Sequence, residues 1–341
     1  MKSVRIVASV VFLLVTLPVR VYAETELAPV DTDTTRVDRY HRRLSRRVLR
    51  VAEWVNNVVS DTFRKKEDQE SGMTRRFYGN LLTSYQVEGS HIRVKPRIIM
   101  TEGSDNEYKL DFSTRLRLHG LSDRLRLYVD SYDTDYDTME EIFSARYRQE
   151  LEQARGESAA GGLTYFFTDR ATRQLSLSTG LRFRPEPSPK ARLRARYRKS
   201  FDVWRADFSE GVFWSEQDGF GKRTEISMDR PLRDIDLFRL HATGVWSEVS
   251  HGVDWGLNAA CYTRFSSRRS GALHLGARGY THPSWVTDQY LLRVSHRQRI
   301  HRDWLFLEIE PGLDFFREDS YKTIPLIHIK FEIIFGDYER L

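Results

Sequence analysis

The 341-residue sequence carries 54 Lys and Arg against 48 Asp and Glu, a formal net charge of +6, and one cysteine, Cys261. A single cysteine excludes a disulfide framework and a cysteine-based zinc site. Because Lys2, Arg5 and Arg20 stand near the start without any acid, residues 24–341 hold 51 basic and 48 acidic side chains. A balance this close to neutral gives no reason to expect a nucleic-acid partner.

The first 23 residues have the features of a secretory signal peptide. Lys2 and Arg5 precede an apolar run over residues 6–17, and residues 21–23 (Val-Tyr-Ala) offer the small residues that signal peptidase accepts. A membrane-spanning helix is the alternative, but a run of 12 residues is shorter than the ~20 needed to cross a bilayer. We therefore expect export, with cleavage near Ala23.

Residues 24–90 are expected to form a periplasmic segment that contains an amphipathic helix. Apolar residues recur three or four positions apart over residues 36–63. The first half of the helix is strongly basic, and its candidate docking residues are Arg39, Arg42, Arg43, Arg46, Arg47 and Arg50.

Four roles are open for this basic helix. It could lie on an anionic membrane surface, bind an acidic periplasmic protein, or enter the lumen of the β-barrel predicted below as a plug. The fourth interpretation is a helix that covers the periplasmic mouth for stability alone. Residues 64–76, which follow it, have the composition of a solvated linker.

From residue 91 onward the dominant signal is alternation of apolar and polar residues, which is typical of strands with two unlike faces. Over residues 191–198, Ala, Leu and Tyr alternate with four arginines, and such a polar face cannot lie in lipid. The charged residues expected on an enclosed, lumenal face are Arg115, Arg117, Arg182, Arg184, Arg192, Arg194, Arg196, Arg198, Glu308 and Glu310. Residues 91–341 hold 39 basic and 37 acidic side chains, so we expect a nearly neutral lumen whose local clusters pair across the barrel.

The last alternating segment carries the most specific signal. Its apolar face is formed by Ile327, Ile329, Phe331, Ile333 and Phe335, opposite His328, Lys330 and Glu332. This segment resembles the closing strand of Gram-negative outer-membrane β-barrels, whose aromatic-ended C-terminus is recognised by the barrel-assembly machinery. The sequence departs from that pattern because residues 336–341 extend past the aromatic. The resemblance covers about residues 91–336 and concerns the class as a whole.

The resemblance implies an all-β fold, an antiparallel transmembrane β-barrel over residues 91–341 that contacts outer-membrane lipid. Fourteen strands are predicted, with 12 as the alternative, since single-chain barrels have even numbers. They are predicted at 91–101, 107–118, 123–131, 160–168, 173–184, 190–200, 203–215, 220–229, 236–248, 251–266, 270–280, 288–298, 303–315 and 324–336. A soluble β-sandwich also alternates, but it needs no interfacial aromatic girdle. Six tryptophans fall near predicted strand ends, at Trp204, Trp214, Trp246, Trp255, Trp285 and Trp304.

The connection over residues 132–159 is expected outside the cell. Thr138 to Glu141 has capping-box spacing and precedes apolar residues among charges, which predicts a helix. This helix is either a lid folded into the mouth or a surface helix packed on the rim.

No sequence motif for catalysis or for a cofactor stands out. His282 and Ser284 could belong to a lipid-modifying enzyme, but only Asp288 is near to orient them. Ser295 and His296 are adjacent on a strand and so point to opposite faces. His241, His251 and His274 are better explained as ordinary lumenal or interface histidines than as metal ligands.

Three functional hypotheses follow from these observations. The first is a non-enzymatic narrow channel for small solutes, with anions favoured by the arginine-rich faces. The second is a non-conducting scaffold that docks a partner through its basic helix. The third, and weakest, is a lipid-modifying enzyme.

Overall fold

The computed structural model describes residues 36–60, 90–117, 124–130, 159–183, 187–216 and 218–336, with helix side chains described over 37–50. The predicted signal peptide, the linker, Arg184 and nearly all of the 132–159 connection lie outside these residues. Within these residues, one helix, α1 (Arg36–Ser60), precedes fourteen strands: β1 (His91–Thr101), β2 (Glu107–Arg117), β3 (Leu125–Asp130), β4 (Ala159–Asp169), β5 (Arg173–Phe183), β6 (Pro187–Phe201), β7 (Trp204–Ser215), β8 (Gly219–Arg233), β9 (Asp236–Ser247), β10 (Val253–Arg264), β11 (Arg269–Tyr280), β12 (Val286–His301), β13 (Leu305–Phe316) and β14 (Thr323–Gly336).

The strands form a closed barrel. Each strand pairs antiparallel with its neighbours in the chain, and β1 pairs with β14, from His91 opposite Gly336 to Thr101 opposite Leu326. Closure leaves no unpaired sheet edge, which a membrane-spanning sheet requires. The prediction of fourteen strands is confirmed, and the alternative of 12 is wrong.

The strand boundaries differ from the predicted ones in both directions, because β6, β8 and β12 are longer and β3 and β10 are shorter. The sixth strand begins at Pro187 rather than at residue 190, and the twelfth ends at His301 rather than at residue 298. At the start of β6 the alternation continues, since Ser188 and Lys190 are buried and Pro187 and Pro189 are exposed.

The two faces of the sheet are inverted relative to a soluble protein. Tyr108, Leu110 and Leu193 point outward and are exposed, whereas Arg182 and Arg293 point inward and are buried. A β-sandwich would bury its apolar faces against each other. The sandwich alternative is therefore wrong, and the expected barrel with enclosed charges is confirmed.

Tryptophans mark both ends of the barrel, as expected for an interfacial girdle. Trp204 begins β7 and Trp214 lies near its other end, while Trp246 lies near the end of β9. Trp255, at the start of β10, stacks on Trp285 in the β11–β12 loop with ring centroids 5.3 Å apart.

The predicted N-terminal helix is confirmed as α1. It contacts β14, β1 and β2 at what we call the C-terminal rim, the barrel end that carries the last residues of β14, the first of β1 and the β12–β13 turn. Its six candidate docking arginines, residues 39 to 50, are exposed. Among the described residues, no helix has the length and apolarity to span a membrane.

Candidate functional site

The inward face of β5 to β9 is a basic wall. Registers between the strands place Gln174 opposite Arg196, Arg196 opposite Ser209, and Ser209 opposite Glu225. Each row of inward side chains therefore follows the wall from strand to strand. The side chains predicted as lumenal on β5 and β6 belong to these rows.

Asp207 on β7 binds two arginines of this wall, Arg196 and Arg198. The Arg196 guanidinium donates to both carboxylate oxygens of Asp207, Nε to Oδ1 at 2.7 Å and Nη2 to Oδ2 at 2.5 Å. Arg198 Nε donates to Asp207 Oδ2 at 3.0 Å. One carboxylate thus serves two guanidinium groups, which leaves this pair with an excess positive charge.

Glu225 on β8 holds the next group in the same way. Arg194 Nη2 donates to Glu225 Oε2 at 2.6 Å, and Arg223 Nε donates to Oε1 at 2.8 Å. Gly211 lies between Arg194 and Arg223 in the register, so no side chain separates the two guanidinium groups. The Arg194 side chain is 33% exposed and that of Glu225 only 11%, so the cation reaches lumenal water above a covered carboxylate.

The remaining predicted arginines occupy less clustered positions. Arg182 donates to Asp218 in the β7–β8 turn at 3.1 Å, and Arg115 donates to Asp130 at 2.5 Å. Arg192 lies on the inward row beside Arg194. The side chain of Arg117 lies outside the described residues, as does Arg184.

Counted by strand face, this wall is strongly positive. Its inward cations on the described strands are Arg182, Lys190, Arg192, Arg194, Arg196, Arg198, Arg205, Arg223 and Arg239. Its inward carboxylates on the same strands are Asp207, Glu225 and Asp229, with Asp218 added in the turn. This wall therefore departs from the nearly neutral lumen expected from the total charge.

The opposite wall, at β12 to β14, is balanced. Lys330 donates to Glu308 at 3.1 Å and to Glu310 at 3.3 Å, and Arg297 bridges Glu308 and Glu332. Arg293 donates to Asp314 at 2.5 Å, and both side chains are 1% exposed. The two predicted lumenal glutamates thus belong to a buried, mutually neutralising network.

Ion pairing follows the wall instead of crossing the lumen. Arg196 and Asp207 lie on neighbouring strands, whereas Arg194 and Glu225 lie two strands apart, as do Arg297 and Glu332. The pairs named above all have this short span, which differs from the expected pairing across the barrel. Pairs of this kind brace the sheet and do not by themselves bridge the axis.

Several of the histidines singled out in the sequence have aromatic neighbours in the structure. His296 stacks on Phe265, while Ser295 takes the opposite face of β12. His251 and His282 have ring centroids 6.2 Å apart in neighbouring loops. Within the described part of the chain, no cluster of three or more His, Cys, Asp or Glu side chains could hold a metal ion.

Sequence reasoning missed two groups of residues. Asp207, which holds Arg196 and Arg198, could have been found from its alternation with Phe208 on the seventh strand. Asp38 and His41, which attach α1 to the rim, carry no such signal, because polar residues on a basic helix are usually solvated.

No protein-family model and no curated protein matches the chain. Among solved structures, the KdgM porin has a TM-score of 0.35 at 9% identity, covering 71% of this chain and 98% of that one. A loop-deletion mutant of OmpT, an outer membrane protein of Vibrio cholerae, gives 0.43 at 9% identity and covers 73% and 99%. The outer membrane channel DcaP of Acinetobacter baumannii gives 0.41 at 9% identity and covers 72% and 96%. These neighbours belong to the expected class of outer-membrane barrels, and at such identity the likeness is one of fold alone.

Proposed function

We propose that this protein is an outer-membrane channel for small solutes that prefers anions. The observation that carries the proposal is the basic wall of β5 to β9, where nine inward cations face three strand carboxylates. The location is supported by the expected signal peptide and by an exterior of exposed apolar side chains with tryptophans at both ends.

The physical reason for anion preference is the uneven exposure of the paired charges. Arg194 and Arg196 reach lumenal water, whereas their carboxylate partners are more deeply covered. A permeating ion therefore meets guanidinium groups first, and a ring or wall of arginine favours anions in a pore. The balanced wall at β12 to β14 adds little net field, because its charges neutralise one another at short range.

The test is single-channel recording in planar bilayers under a salt gradient, comparing wild type with Arg194→Glu/Arg196→Glu. A unit charge acts on an ion ~8 Å away in water with about 0.5 kcal/mol, and salt roughly halves this. Two reversals change four charges, so the free energy of an anion at the wall should rise by about 1 kcal/mol, or about fivefold in occupancy. We expect the chloride-over-potassium permeability ratio to fall accordingly.

The control reverses two charges on the outside of the same barrel, Arg173→Glu/Arg230→Glu. Both arginines are exposed and have outward positions on β5 and β8, so selectivity should stay at the wild-type value. Heat-modifiable gel mobility shows that each variant folds. If the folded wild type conducts no current, the channel is refuted and a scaffold role is favoured. If the lumenal variant and the wild type have the same selectivity, the arginine wall is not the source of anion preference.

A further inference from the structure

Helix α1 follows the C-terminal rim along its circumference. Near its start, Asp38 accepts a hydrogen bond from His301 Nε2 at 2.9 Å and pairs with Arg302 at 2.6 Å, at the β12–β13 turn. The helix also contacts β14, β1 and β2, which follow one another around the barrel. A helix that contacts three adjacent strands near one end of a barrel extends across those strands.

The helix is attached by one narrow flank. His41 Nε2 donates to the carbonyl oxygen of Ile334 at 2.7 Å, and its ring stacks on Trp304 with centroids 4.1 Å apart and on Phe335 at 5.1 Å. Asp38 and His41 are buried, and Ser45, one turn further, is half-buried. Phe335 has an outward position on β14, so the attachment lies toward the outer side of the barrel.

The attached flank leaves two unlike faces uncovered. At 100° per residue, Val37, Tyr40 and Leu44 form a stripe to one side of the flank. These side chains are 58%, 65% and 45% exposed. The arginines form the stripe on the other side, at Arg39, Arg42, Arg43, Arg46, Arg47 and Arg50, and all six are exposed.

We propose that α1 is an interfacial helix that binds anionic phospholipid beside the barrel, an inference that rests on the proposed outer-membrane location. Val37, Tyr40 and Leu44 enter the boundary between acyl chains and headgroups, next to the lipid-facing surface of β14. The arginines bind phosphate groups in the same leaflet. Two features favour lipid over a protein partner: the attachment includes the outward-facing Phe335 on the apolar exterior of the barrel, and the arginine stripe complements an anionic surface.

The experiment uses spin labels on the full chain reconstituted into vesicles. Cys261, which is exposed, is first replaced by Cys261→Ser, and labels are attached after Tyr40→Cys or Arg42→Cys. Vesicles contain phosphatidylcholine alone or with about 30% phosphatidylglycerol. Collisions with oxygen report lipid exposure, and collisions with a water-soluble nickel chelate report water exposure.

The expected result is a label at position 40 that is shielded from nickel in phosphatidylglycerol vesicles, and a label at position 42 that is not. Replacing Arg39, Arg43 and Arg47 by Gln should abolish this shielding, because the charge attraction is lost. Replacing the same three by Lys keeps the charge and should retain it. Nickel access at position 40 equal to that at position 42 in both lipids would overturn the proposal and leave the apolar stripe to water or a protein.

A third label separates this proposal from the proposed function. Leu257 has an outward position on β10 and is exposed, so a label after Leu257→Cys reports whether the barrel lies in lipid. An oxygen-accessible label at 257 with a water-exposed label at 40 refutes the interfacial helix alone. A water-exposed label at 257 refutes the membrane barrel and the interfacial helix together.

Discussion

Gly162 on β4 and Gly180 on β5 face each other, and substitution of Gly162 tests how closely the two strands are packed there. Gly162 lies opposite Gly180, and Tyr128 on β3 lies opposite Gly162. An ideal Cβ on Gly162 would lie 2.6 Å from Gly180 Cα and closer still to the Thr179 carbonyl oxygen. An ordinary carbon contact needs 3.4 Å or more, so Gly162→Ala requires a backbone shift of about 1 Å at this step of the ladder.

The expected cost follows from that shift. Overpacking of a close-packed contact costs typically about 1 to 3 kcal/mol, because neighbouring groups are pushed out of their preferred positions. Gly161→Ala is the matched control on the next residue of the same strand. Its Cβ would lie 3.5 Å from the Tyr128 carbonyl oxygen, so we expect a change within about 0.5 kcal/mol.

The assay is urea-induced unfolding of the barrel in detergent micelles, followed by the fluorescence of its tryptophans. Gly162→Ala should move the midpoint to lower urea, while Gly161→Ala should leave it near the wild-type value. The reasoning is refuted if the two variants unfold at the same midpoint. It is also refuted if Gly162→Ala is as stable as the wild type.

Two further predictions concern the buried network and the helix. Glu310→Gln leaves Lys330 with a weaker partner and should lower the free energy of unfolding by about 3 to 5 kcal/mol in the same urea assay, while anion preference stays or rises; an unchanged midpoint would contradict the network. Burial against Trp304 lowers the pKa of His41 below its usual 6.5, an effect that Asp38 partly opposes and His301 reinforces. As pH falls through about 6.5, the released helix therefore binds its proton before the docked one does, so docking is fully stable above that pH and weakens as pH falls. A label at position 40 should gain mobility between about pH 7.5 and about pH 5.5, and His41→Gln should remove this dependence; constant mobility in the wild type would contradict it.

The strands could be predicted because residues that face lipid and residues that face the lumen alternate along each strand of a barrel. Over residues 191–198 the arginines and apolar residues alternate without exception, so both the strand and its orientation follow from the sequence. Which carboxylate meets which arginine could not be predicted in the same way. The pairing of Arg196 with Asp207 depends on an offset of two residues from its register partner Ser209, and such an offset is set by strand tilt and side-chain reach.

The expectation of a nearly neutral lumen failed for a different reason. The total over residues 91–341 includes connections such as residues 131–158, which hold eight acidic and three basic side chains. A sum over the whole segment counts these residues, which belong to no described strand, together with the strand faces, and so it hides the excess of cations on β5 to β9. Counting by strand face, once the alternation is known, would have recovered it.

The position of α1 was outside the reach of pattern reasoning. The sequence left four roles open for its apolar and basic faces, and the protein contact is made by Asp38 and His41 on the flank between them. Short-range geometry at the β12–β13 turn, where His301 and Arg302 converge on one carboxylate, decides the attachment. No periodicity in the helix encodes that turn.

The pairing of β1 with β14 determines when the helix can dock completely during folding. Its contacts lie on β14, β1 and β2 and on the turn before β13, and these parts of the chain meet only after the final strand has found the first. Such long-range pairing is the slow step in sheet formation. Complete docking of the helix therefore requires that β14 has paired with β1, so the attached helix marks a closed barrel.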